Sequence, residues 1–168
     1  MPGEHQLVKE ATIRDVLLGA TPPGHLAAEA RDAVEPVGRS SRRVHIEDLP
    51  AGEEDTVTAE MLVRLCDAAL AGSLPASALE PIAFAIVASE HFRWDDGDDV
   101  VGRVLYDWAS PEINFELTAG NLRMFRDWLT GKVRPPSEPD VTADTLSELG
   151  FPRRTSKVRV MPSPTQDA

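Results

Sequence analysis

Between Thr56 and Gly131 the apolar residues recur with the period of an α-helix, and the segments that carry them have helix stop and start residues at their ends. That feature constrains the fold more than any other in the chain. Thr58 can cap a helix that places Leu62, Leu65, Cys66 and Ala69 on one face before Gly72 stops it. Val101, Val104, Leu105 and Trp108 follow the i, i+3, i+4, i+7 spacing of an amphipathic helix without error. Thr118 opens a last helix with Leu122, Phe125 and Leu129, and Gly131 ends it. Between these lies "PIAFAIVA" (residues 81–88), apolar all round. Its branched residues also permit a strand, but its length favours a buried central helix with Pro81 at or near the start. Four helices with short connections pack as an antiparallel bundle or an irregular helical globule.

The flanks are weaker. In residues 1–55 the pattern predicts one helix from about His5 to Leu18, stopped at Gly19, and a second from about His25 to Val34. Residues 35–55, "EPVGRSSRRVHIEDLPAGEED", read as a linker; "RRVHIEDL" has strand character but no evident partner strand. Beyond Gly131, residues 132–168 read as the proline-rich spacer "KVRPPSEPD", a short helix over residues 142–149 and a basic tail. The expected fold class is therefore all-α: a compact bundle of about four to six helices centred on residues 56–131, with a flexible N-terminal linker and a C-terminal tail.

The charge is −11, and it is unevenly placed. Residues 1–55 hold 6 basic and 11 acidic side chains, residues 56–131 hold 5 and 12, and residues 132–168 hold 6 and 5. Such a surface repels nucleic acid and anionic membranes and suits a basic protein partner. Weak nucleic-acid contact is confined to the tail residues Arg153, Arg154, Lys157 and Arg159. The single cysteine, Cys66, excludes an internal disulfide and points to a reducing compartment. No signal-peptide pattern opens the chain and no apolar run can span a bilayer, so a cytoplasmic protein is expected.

The densest charge lies in "EHFRWDDGDDVVGRVLYDW", residues 90–108. Asp95, Asp96, Asp98 and Asp99 flank Gly97, so the alternating oxygen ligands of a calcium loop are not available, and no distal glutamate completes one. One or two acids there would serve the positive N-terminal end of the following helix. Four placed together repel one another, which favours docking to a basic partner. The expected partner-binding residues are Trp94, Asp95, Asp96, Asp98 and Asp99, together with Glu90, Glu112 and Glu116. Trp94 and Trp128, each next to acid, fit a core less well than Trp108 and Phe125 and are possible interface anchors.

Nothing in the chain assembles catalytic chemistry. Cys66 lies on the apolar face of its helix, as a structural thiol does. His5, His25, His45 and His91 are scattered, and none begins a zinc-ligand spacing. "HIE" at residues 45–47 is followed by no cysteine pair, and Ser110 lacks the glycines of a nucleophile elbow. Glu90, Asp107, Glu112 and Glu116 could include a catalytic pair, but acids on helices are usually solvated, and no arrangement in the sequence meets the first geometric requirements of a catalytic site. No metal, cofactor or enzymatic activity is expected.

The order of these features resembles that of the small helical bacterial immunity proteins of the colicin D type. The resemblance covers residues 59–131. Gly72, Leu74 and Ala76 match the turn after that family's first helix, residues 95–99 its acidic loop, and residues 122–129 its last helix. It implies a helical bundle whose acidic face plugs the basic cleft of a nuclease toxin, and so a non-enzymatic inhibitor. The alternative from charge and helicity alone is an adaptor or assembly component that binds another protein through the same face.

Overall fold

A computed structural model describes residues 7–39, 41–95, 97 and 99–136, with the Asp99 side chain outside the description. The chain divides at Pro135–Pro136, and every described element belongs to the first unit. In order these are β1 (Val8–Lys9), α1 (Glu10–Leu17), α2 (His25–Asp32), β2 (Val34–Val37), β3 (Ser41–Val44), β4 (Ile46–Glu47), β5 (Asp55–Thr56) and α3 (Ala59–Ala71). A 3-10 turn (Ala76–Ala78) leads into α4 (Leu79–Ala88), followed by β6 (Phe92–Arg93), α5 (Asp99–Ala109) and α6 (Ala119–Leu129).

The helix signals act where the sequence places them. Thr58 Oγ1 accepts from Met61 N at 3.4 Å to cap α3, and Thr118 Oγ1 accepts from Asn121 N at 3.2 Å to cap α6. Gly72 ends α3 at φ 80°, a left-handed conformation that glycine adopts without steric cost. "PIAFAIVA" is helical, with Ile82, Ala83, Ala85 and Ile86 buried. The core joins α3, α4, α5 and α6 through Leu62, Leu65, Ile86, Val104, Leu105 and Leu122. Its aromatic centre is a set of edge-to-face contacts: Trp108 on Phe125 (6.1 Å), Phe115 on Phe125 (5.8 Å) and Phe125 on Trp128 (5.4 Å).

The strict all-α expectation is corrected: the fold is mostly helical, but the described residues form six short strands beside six α-helices. β1 pairs with β4 and β5 with β6, both in parallel, while β2 and β3 form an antiparallel hairpin. Strands of two to four residues are too short to show an alternating pattern. The linker expected over residues 35–55 is corrected with them. The partner of the strand-like "RRV" is "VEPV" just before it, where Pro36 masks the strand signal and is tolerated because the hairpin has open edges.

The weak N-terminal helices also contribute to the core. Ile13, Val16 and Leu17 of α1, Leu26 and Ala30 of α2, and Leu49 are all buried with the residues of α3–α6. Glu10, at the start of α1, is fully buried, and its Oε2 accepts from Leu49 N at 2.8 Å. That bond ties the chain after β4 to the first helix. The predicted helix over residues 142–149 and the tail lie outside the described residues.

Candidate functional site

The acidic stretch begins at β6, and β6 is fixed by β5. Asp55 N donates to His91 O at 2.8 Å and Val57 N to Arg93 O at 2.6 Å. This pairing sets Glu53, Glu54 and Asp55 beside the chain that carries Glu90 and Asp95, far from them in sequence. The bases among them are partly consumed. Arg14 meets Glu53 at 2.5 Å and Asp55 at 3.9 Å, and Arg93 pairs with Glu54. His91 Nδ1 contacts the Glu53 carbonyl oxygen at 2.7 Å. Glu90 and Asp95 are exposed and have no ion-pair partner among the described residues.

Asp95 also has a local task. Its Oδ1 accepts from Gly97 N at 2.9 Å, the bond of an Asx turn that folds the chain towards α5. Asp99 is the first residue of α5. Asp96 and Asp98 lie outside the described residues. So the acidic loop serves partly as a turn, and the exposed charge at its start joins the β5–β6 acids on one surface.

Trp94 is not the exposed anchor that its neighbours suggest. It is half-buried and packs on the core, with its ring edge-to-face on Tyr106 at 6.5 Å. Its indole lies across α5 at Gly102, where a Cβ atom would come within 2.8 Å of Trp94 Nε1. Gly102 therefore provides the slot that Trp94 fills. Trp128 is corrected more strongly. It is 4% exposed, sits in the aromatic centre and carries the Arg103 guanidinium over its ring at 4.9 Å.

Glu112 and Glu116 are exposed but lie beyond the C-terminal end of α5. Eleven helical residues, about 16 Å, separate that end from the acidic loop. The expected site thus divides into two groups. Near Glu112 stands Glu80, the second residue of α4, bonded by both carboxylate oxygens to Arg42 of β3 at 2.7 Å. Partial burial raises Glu80 above the usual carboxylate range, Arg42 opposes this, and Glu112 reinforces it. The tail bases Arg153, Arg154, Lys157 and Arg159 lie outside the described residues.

The residues with catalytic potential are not brought together. Cys66 is fully buried, and burial, with help from Asp67 and against Arg126, pushes its thiol up to about 12. His45 pairs with Glu35 at 3.0 Å within the hairpin, and His25 is exposed on α2. Asp107 is buried beside Arg103 on its own helix. Ser110 closes a turn through its carbonyl, and His5 is outside the described residues. Among the described residues no group of three or more His, Cys, Asp or Glu side chains could hold a metal ion, and no helix is long and apolar enough to cross a membrane.

Sequence reasoning missed Glu53, Glu54 and Asp55 as members of the acidic surface. Their only signal was "EED" in a stretch that reads as linker, and a parallel pairing of two residues leaves no local trace. No family model, no characterised protein and no solved structure matches the chain.

Proposed function

We propose that this protein acts without chemistry of its own, as an inhibitor of immunity type that docks a basic nuclease through the surface formed by β5, β6 and the loop after β6. The observation that supports this reading is the pairing of β5 with β6. It adds Glu53, Glu54 and Asp55 to Glu90 and Asp95, with Arg14 and Arg93 as cations that offset them in part. A surface of one sign speeds and orients the approach of a basic partner, within a Debye length of about 8–10 Å at physiological salt.

The test removes charge at Glu90, Asp95 and Asp96 by exchange for the amide of the same shape. Glu90→Gln with Asp95→Asn and Asp96→Asn removes charge, and Asn at position 95 keeps the acceptor for Gly97 N. The tagged full-length protein and this variant are used side by side to purify partners from the host at low salt. The expected result is a basic protein with nuclease activity, suppressed by the wild type, whose association with the variant is several-fold slower at low salt and nearly equal at high salt. A captured partner without nuclease activity would support an adaptor instead. Equal association rates for both proteins at low salt would overturn the docking surface.

A further inference from the structure

Among the described residues five arginines are half-buried, and four of them have an acid for a partner. Arg14, Arg93, Arg103 and Arg126 lie within 4.0 Å of Glu53, Glu54, Asp107 and Asp67 in turn. Arg64 of α3 is the exception. No described carboxylate pairs with it, and its Nε is buried without an acceptor. Glu60 and Asp67 stand one turn away on the same helix, but neither forms an ion pair with Arg64, and Asp67 is held by Arg126 at 2.6 Å. A guanidinium withdrawn from water without a counter-charge is costly, and a chain of net charge −11 has acids enough to supply one.

Gly19 makes room for this side chain. It follows α1 at φ 79°, and a Cβ atom there would stand 2.7 Å from Arg64 Nη1. Arg64 thus reaches from α3 to the C-terminal end of α1, whose carbonyl groups favour a cation. Consecutive Cα atoms are about 3.8 Å apart, so the residues on either side of Gly19 border the guanidinium. Both are apolar and exposed: Ala20, and Leu18, which at 56% is the most exposed large apolar side chain among the described residues. Residues 16–28 carry no Asp, Glu, Lys or Arg, so the loop itself brings no counter-charge.

We infer that Arg64, Leu18 and Ala20 form a docking site for an apolar segment of a partner protein that carries a single aspartate or glutamate. The carboxylate would take two parallel N–H bonds from the guanidinium, and its apolar neighbours would cover Leu18 and Ala20. Charge selects this occupant. Arg64 lacks one negative charge, and one carboxylate supplies it. A polyanion, whether nucleic acid or an anionic membrane, would also meet Glu60, Asp67 and Asp15, and a basic segment would leave Arg64 unpaired. The site has the opposite sign to the β5–β6 acids, and the inference does not rest on them.

The probe is the blocked peptide acetyl-Leu-Ala-Glu-Leu amide, titrated into isotope-labelled full-length protein while the arginine Nε–H and leucine methyl signals are followed by NMR. The Arg64 and Leu18 signals should shift and saturate together, with those of Arg14, Arg93, Arg103 and Arg126 unmoved. The matched Gln peptide, and a Glu peptide with Gly in place of Leu, should each bind at least about tenfold more weakly. Leu18→Ser should weaken binding about tenfold with an unchanged melting temperature, since most of that side chain stands in water. Arg64→Gln should abolish the Leu18 response, and Arg64→Lys should restore little of it, because an ammonium does not offer the paired donors. No saturable response in the millimolar range would overturn the inference, as would equal binding of the Glu and Gln peptides or an Arg64 shift indifferent to Leu18→Ser. Tighter binding of a phosphoserine peptide would overturn the choice of occupant in favour of a phosphorylated segment. A wild-type dimer that Leu18→Ser dissociates would replace the partner with a second copy and also overturn it.

Discussion

Gly102→Ala should change sign with its background. In an exposed helix the exchange gains about 1 kcal/mol, since alanine loses less backbone entropy. Here the new Cβ would stand 2.8 Å from Trp94 Nε1, 3.5 Å from Cδ1 and 3.7 Å from Cε2. The first distance is too short for any real contact, and the indole is a rigid ring that also packs edge-to-face on Tyr106, one turn further along the same helix. The ring must therefore swing outwards. Losing about half the burial of a large side chain costs roughly 1–1.5 kcal/mol, and losing the edge-to-face contact with Tyr106 costs about 0.5–1.5 kcal/mol. Set against the propensity gain, the net is a destabilisation of about 0.5–2 kcal/mol. With Trp94→Ala in place the obstacle is gone, and Gly102→Ala should then stabilise by about 1 kcal/mol. Urea unfolding of the four proteins closes a double-mutant cycle, valid if the slopes agree. Stabilisation by Gly102→Ala in both backgrounds would show that the indole does not lie over Gly102 and would restore Trp94 as a free anchor.

Other consequences follow from buried polar groups. Glu10→Ala should cost about 1–3 kcal/mol in chemical unfolding, because the buried Leu49 N–H loses its acceptor; Glu10→Gln, which keeps one, should cost less. The Cys66 thiol, raised to about 12, remains protonated in the fold after the unfolded chain has ionised at about 8.5. Its contribution is thus complete below that pH and is lost as pH rises towards 12, by about 1.4 kcal/mol per unit, a slope that Cys66→Ala should remove from stability measured against pH. Glu80, also raised, contributes stability that is complete below its unfolded pKa and lost as pH rises through its folded one. Glu112→Gln should lower its titration midpoint in carboxyl NMR, and Arg42→Ala should raise it.

The helices were legible because their signals are local. Thr58, Gly72 and Thr118 act within four residues of themselves, and the stripe Val101, Val104, Leu105, Trp108 depends only on helical spacing. The pairing of Val8 with Ile46 and of Asp55 with Phe92 joins distant residues through backbone groups alike in every sequence, so no residue type announces it. The acidic loop was visible as charge, but its second half, Glu53 to Asp55, was not. Trp94 is hard to read for a related reason. Its charged neighbours are beside it in sequence, whereas the glycine that makes room for it, Gly102, lies further on, within a helix where glycine reads only as a weakness.

With Trp94 occupied in the fold, the β5–β6 surface is left with charge and little exposed apolar area. Charge of that kind raises association rates more than it slows dissociation. For a basic partner of this surface, Glu90→Gln with Asp95→Asn should therefore lower the association rate at low salt and leave dissociation nearly unchanged. A variant that instead dissociates several-fold faster at an unchanged association rate would show that these carboxylates hold the bound partner by short-range contacts and do not steer its approach.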